Sequence, residues 1–114
     1  MVRVLSPHDL TLLQQMVPEF TGENCSTIGA PYKSLLPPVA IHYATNADDF
    51  LMRVQRLSLP DLQYLCELIL SGEESLHCLS FEYFSLFIAY IKEMIGTSLA
   101  VKITAIYVAE QDNQ

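Results

Sequence analysis

The sequence predicts a mostly α-helical fold, a small bundle of four to five helices with a long ordered Pro/Gly-containing loop, and three observations carry that expectation. Helix-start chemistry recurs at Ser6, Ser58 and Ser80. Apolar residues downstream of each serine fall at the three- and four-residue spacing of one helix face. Glycine and proline crowd into residues 18–44 and elsewhere sit only where helices would start or stop, at Pro7, Pro60, Gly72 and Gly96. A chain of 114 residues is one domain, 1–114, and is too short for two. At this size roughly two-thirds of the unfolded surface can be buried, so neither a metal nor a disulfide staple is required.

The first helix opens in "LSPHDLTLLQQMV". Ser6 can accept a bond from a first-turn amide, Pro7 has no amide to satisfy there, and Asp9 can reach back to the cap amide as a capping box does. Pro18 then disfavours helical backbone at Val17, which places the helix at about Ser6–Val17. A second starts at Thr45-Asn46, with Asp48 and Asp49 facing the positive end of the helix dipole and Phe50, Val54 and Leu57 at helical spacing, over Asn46–Leu57. The third, Leu59–Leu70, repeats the first opening as "LSLPDLQYLCELI" and ends at Gly72, which can adopt a left-handed cap. The fourth, Phe81–Ile95, opens as "LSFEYFSLFIAYI"; Tyr83 stands where the box acid would be, so only Glu82 and the dipole mark this start, and Gly96 is available beyond its end. The unequal intervals between the openings mean shared punctuation, not a repeat.

Two segments are harder to place. Residues 18–44 read as an ordered loop wrapped on the helices, with "VAIHYA" as a short strand within it. The last segment, "SLAVKITAIYVAEQ", is β-branched enough for a strand, yet it has no internal breaker and Ser98 could cap a helix. A helix is favoured, because a strand would need a partner for both edges. The alternative is an α+β fold with a two-stranded, hairpin-like pair formed by residues 39–44 and 100–108.

Composition narrows the function classes. Thirteen acidic residues against six basic ones leave a net charge of −7, and Arg3, Lys33, Arg53, Arg56, Lys92 and Lys102 are scattered. Nucleic acids and anionic membranes are bound by clustered cations, so neither is an expected partner. No apolar stretch approaches the roughly 18 residues of a membrane span, and "MVRVLSPHDLTLL" lacks the apolar core of a secretory signal, so the expected location is cytoplasmic. Cys25, Cys66 and Cys78 are an odd set without C-x-x-C spacing, which fits reduced thiols.

Candidate sites follow from projecting each helix onto a wheel. In Leu59–Leu70, Leu59, Leu62, Leu65, Cys66, Ile69 and Leu70 share one face opposite Gln63 and Glu67, so Cys66 is a buried, inert thiol. In Phe81–Ile95, Phe81, Phe84, Phe87, Ile88, Ile91 and Ile95 form one arc that Met94, Tyr83, Tyr90 and Leu86 extend to roughly 220°, about twice what a surface helix needs. Such a helix is central, or its Tyr83, Leu86, Tyr90 and Met94 edge meets another chain, where a tyrosine can bury its ring and keep its hydroxyl wet. A hydrophobic fraction of 51% with 17% charged residues points the same way, toward a homo-oligomer or a permanent protein partner. Glu74 and His77 have the Glu-x-x-His spacing of a bundle metal site beside Cys78, but a dinuclear site needs a second such pair, so no metal or other cofactor is expected.

A different class of function would use the loop: Cys25, Lys33 and His42 converging beneath it on Tyr83 or Tyr90 would make a small-molecule site or a minor enzyme. No P-loop, dinucleotide fingerprint, nucleophile elbow or H-E-x-x-H pair is present, and the residue six after Cys25 is Pro31, not the arginine of a phosphate loop. The sequence therefore leans away from catalysis and toward a small acidic helical domain that acts through protein contact.

Overall fold

The computed structural model describes residues 6–17, 36, 44–76 and 79–112, and among them it has five helices and no strand. They are α1 (Pro7–Met16), α2 (Ala47–Gln55), α3 (Leu59–Ser71), α4 (Phe81–Met94) and α5 (Thr97–Asp112). The helical bundle is thus the fold. The strand pair is not: residues 100–108 lie inside α5, while 39–43 fall outside the described residues. Ala100, Ile103 and Tyr107 are the buried residues of α5, a spacing that only a helix brings to one face. Its β-branched Thr104 returns a hydroxyl bond of 2.8 Å to the Ala100 carbonyl, so the residue fits the helix without an unpaired polar group.

Every helix start rests on local chemistry. Ser6 closes a full capping box: its hydroxyl accepts from the Asp9 amide at 3.1 Å, and the Asp9 carboxylate accepts from the Ser6 amide at 3.1 Å. Asn46 and Ser58 accept from Asp49 and Asp61 amides at 2.9 and 3.3 Å. Ser80 caps α4 as well, accepting from the Tyr83 amide at 3.2 Å. A serine cap needs the third amide and not the third side chain, so Tyr83 costs the box but not the cap. At the far end of α3, Gly72 is left-handed (φ 84°) and its amide bonds back to the last turn. Gly96 departs from expectation. Ile95 caps α4, Gly96 takes φ 150°, and its carbonyl accepts the first bond of α5 from Ala100 at 3.3 Å, so α5 starts at Thr97 and Ser98 lies inside its first turn.

The helices neighbour one another in the order α1, α2, α4, α5, α3. A side-chain bond joins the two ends of that order, because the Tyr64 hydroxyl of α3 donates to Asp9 of α1 at 2.8 Å. Inside lies one continuous core, with Leu12, Leu13, Met16, Phe50, Leu65 and Phe87 among its fully buried side chains. Its central element is α4, flanked by α2 and α5. On one flank Tyr83 stacks on Phe50 of α2, with ring centres 4.7 Å apart. On the other, Phe84 lies parallel to Tyr107 of α5 at 3.9 Å, and the Tyr107 hydroxyl donates to the Leu79 carbonyl at 2.9 Å.

Buried polar groups tie the helices together where the core reaches their ends. No base stands in the last turn of α1, and Met16 is fully buried. Arg53 of α2 and Arg56 at its C-cap supply the missing donors: Arg53 Nη1 and Arg56 Nη1 reach the Met16 carbonyl at 3.3 and 3.5 Å, while Arg53 Nε bonds Asp49 Oδ2 at 3.1 Å. The Thr45 amide, first, and Arg53 hold the Asp49 carboxyl below its ordinary 3.8. Its contribution to stability is present above that value and is lost as pH falls through the depressed one. Glu74, between α3 and α4, is 2% exposed and accepts from the Leu36 amide at 3.5 Å. Glu110 of α5 fixes the same segment, accepting from the Ser75 hydroxyl and the Leu76 amide at 2.8 and 3.3 Å.

Candidate interaction surface

A helix that turns about 100° per residue places Phe81, Ile88 and Lys92 on one stripe of α4, roughly 90° round from its buried Phe84, Phe87 and Ile91. On α5, Thr97, Val101, Thr104 and Val108 form a matching stripe, roughly 100° from the buried residues. The two helices are antiparallel neighbours joined by Ile95 and Gly96, so these stripes face each other across the outside of the hairpin. Between them runs an open groove of about 590 Å³, with Ile88, Ala89 and Lys92 on one wall and Val101, Thr104 and Ala105 on the other.

The groove belongs to a wider apolar face. Val101 is 61% exposed and Val108 51%, and Phe81, at the open end of the hairpin, is 74% exposed. Phe84 stacks on Tyr107, so Phe81, three residues earlier, lies level with the last turn of α5. Lys92 stands at the closed end, where it lines the groove with Thr97, and Asp112 ends α5 at the open one. No acid occupies the first turn of α5 and no base its last, so both ends of its dipole lack a compensating charge from the helix itself.

The edge expected from the sequence is arranged differently. Tyr83 and Tyr90 are half-buried against the core, Tyr83 on Phe50; Leu86 is half-buried, and Met94 is 43% exposed. The structure therefore puts one tyrosine of that edge to use inside the chain. Cys25, Lys33 and His42 lie outside the described residues, as do His77 and Cys78 beside Glu74. Among the described residues no group of three His, Cys, Asp or Glu side chains could hold a metal ion, and no helix is long and apolar enough to cross a membrane. His8 is on the surface, edge-on to Tyr64 and with Nε2 3.6 Å from Asp61.

Cys66 is buried in α3, and burial, with a smaller contribution from Glu67, pushes its thiol up to about 12. Thiolate is the reactive form, so native protein is expected to leave Cys66 unalkylated by iodoacetamide near neutral pH while unfolded protein is modified, as peptide mass mapping would read. Rapid native labelling of Cys66 would place it at the surface. The raised value has a stability consequence: the contribution is full below the ordinary 9.0 and is lost as pH rises toward about 12, because only the unfolded thiol ionises in that interval.

Sequence reasoning missed Phe81 and the outer stripe of α5. A signal for the second was present: α5 is apolar all round, which a helix buried on one side does not need. The chain matches no protein-family model, no curated protein and no solved structure.

Proposed function

We propose that this chain is a small acidic helical interaction domain, working as a homo-oligomer or as a subunit through the outer face of the α4–α5 hairpin. The observation that carries this reading is the apolar groove with Phe81, Val101 and Val108 exposed around it. Isolated exposed apolar residues are ordinary; a contiguous set on two adjacent helices, converging on one groove, is the feature of an association surface. Met52, Leu59 and Leu70, also exposed, belong to other helices and do not line this groove.

Photo-crosslinking tests the reading. A benzophenone amino acid replaces Val101 in one variant and Gln63, on the exposed polar face of α3, in another, and each is expressed in the native cell. The Val101 variant is expected to form a discrete protein adduct that the Gln63 variant lacks. If irradiation at Val101 yields no adduct, or the same ones as Gln63, the hairpin face is not an association surface.

A further inference from the structure

Resting on that reading, we infer that the partner is a second copy of this chain, docked about a two-fold axis so that each Phe81 enters the other chain's α4–α5 groove. The face carries a protrusion and a recess at opposite ends. Phe81, three-quarters exposed, stands at the open end of the hairpin, and the groove walled by Ile88, Ala89, Lys92, Val101 and Ala105 lies toward the closed end. Seven to eleven residues of α4 separate Phe81 from Ile88 and Lys92, or roughly 10–16 Å along the helix. A two-fold axis lying in the plane of the face, perpendicular to the two helices, brings the faces together and reverses the hairpin. The open end of one chain then covers the closed end of the other, and both protrusions meet both recesses at once, as an isologous contact requires.

Charge follows the same symmetry. The reversal carries Asp112 of each chain to the end where the other has Lys92 and the uncompensated first turn of α5. An acid beside a lysine and a helix N-terminus is favourable, and antiparallel α5 helices set opposite dipole ends together. Phe81 arrives beside that lysine too, where an aromatic ring and an ammonium attract. A foreign partner would have to supply both an aromatic knob and an acid in this arrangement. The chain itself already has them. A contact confined to one hairpin face should bury less than the roughly 800 Å² per partner of a standard interface, and exchange with monomer at micromolar concentration is expected.

Sedimentation equilibrium across about 1–100 μM reads the result. Wild-type protein is expected to approach twice the monomer mass in this range. Phe81→Ala removes the knob and Ala105→Glu places a charge in the recess; both sites are exposed, so both variants should keep wild-type far-UV circular dichroism. Alone, each loses both knob-and-recess pairs and should dissociate at least 100-fold more readily, since burying one phenylalanine is worth about a factor of ten or more. Mixed, they regain one pair, because the Ala105→Glu chain still offers Phe81 to the open groove of the Phe81→Ala chain. Dimer should return in the mixture at about tenfold higher concentration than wild type.

A wild-type chain that stays monomeric throughout overturns the inference, as does a dimer that Phe81→Ala leaves intact or a mixture of folded variants that never associates. The interaction reading is decided separately: a monomer whose Val101 photo-adduct contains a different protein keeps that reading and removes only the self-partner, whereas a monomer with no adduct removes both.

Discussion

Phe87→Ala is expected to lower the stability of the fold by about 3–5 kcal/mol. The ring is fully buried in the middle of α4, the helix that has α2 on one flank and α5 on the other. Truncation removes its transfer energy and leaves a cavity bounded by separate helices that cannot all close on it. A domain of this kind has about 5–15 kcal/mol in total, so the loss is a large share and should lower the thermal midpoint by roughly 10–20 °C. Phe81→Ala is the internal comparison, since the same residue type in the first turn of the same helix is three-quarters exposed. Its effect on monomer stability should stay within about 0.5 kcal/mol. Urea titration of both variants by circular dichroism reads the contrast, and equal effects would mean that the core is not organised around α4.

Arg53→Met is expected to cost roughly 2–3 kcal/mol, although methionine replaces the aliphatic stem of the arginine. Its guanidinium spans two places: Nη1 serves the Met16 carbonyl at 3.3 Å and Nε serves Asp49 at 3.1 Å. With the arginine gone, a carbonyl at the buried end of α1 loses the nearer of its two arginine donors, and the Asp49 carboxylate loses one of the groups that hold its proton off. The loss should therefore be larger near neutral pH than at a pH low enough to protonate Asp49 in both proteins. Arg56→Met, exposed and 3.5 Å from the same carbonyl, should cost less than about 1 kcal/mol. Should the two substitutions prove equal, the arginines act on α1 through general charge and not through the bonds named.

Particular elements show how legible the fold was. Four helix starts were readable because each cap closes within three residues: Ser6 with Asp9, Asn46 with Asp49, Ser58 with Asp61, Ser80 with Tyr83. The start of α5 was misplaced because a glycine carbonyl, which has no side-chain signature, accepts its first bond. The burial of Glu74 was not legible, because nothing near it in sequence announces Leu36, thirty-eight residues away, from whose amide it accepts. For the candidate surface, the breadth of the apolar arc on α4 was legible, and the flank left open was not. Tyr83 looks at least as suited to a partner as Phe81, yet Tyr83 stacks on Phe50 while Phe81 is three-quarters exposed.

Sequence alone determined where four of the five helices begin, that the chain is acidic and mostly helical, and that α4 carries more apolar surface than a single buried stripe. Those properties are set by groups a turn apart or by composition. Tertiary structure decided that α2 takes the tyrosine flank of α4, that Arg53 caps a helix other than its own, and that Phe81 and the groove lie at opposite ends of one face. The physical reason is range: a cap is satisfied by an amide three residues on, whereas exposure depends on which distant helix packs alongside, and apolar attraction has no direction by which a side chain could specify that neighbour.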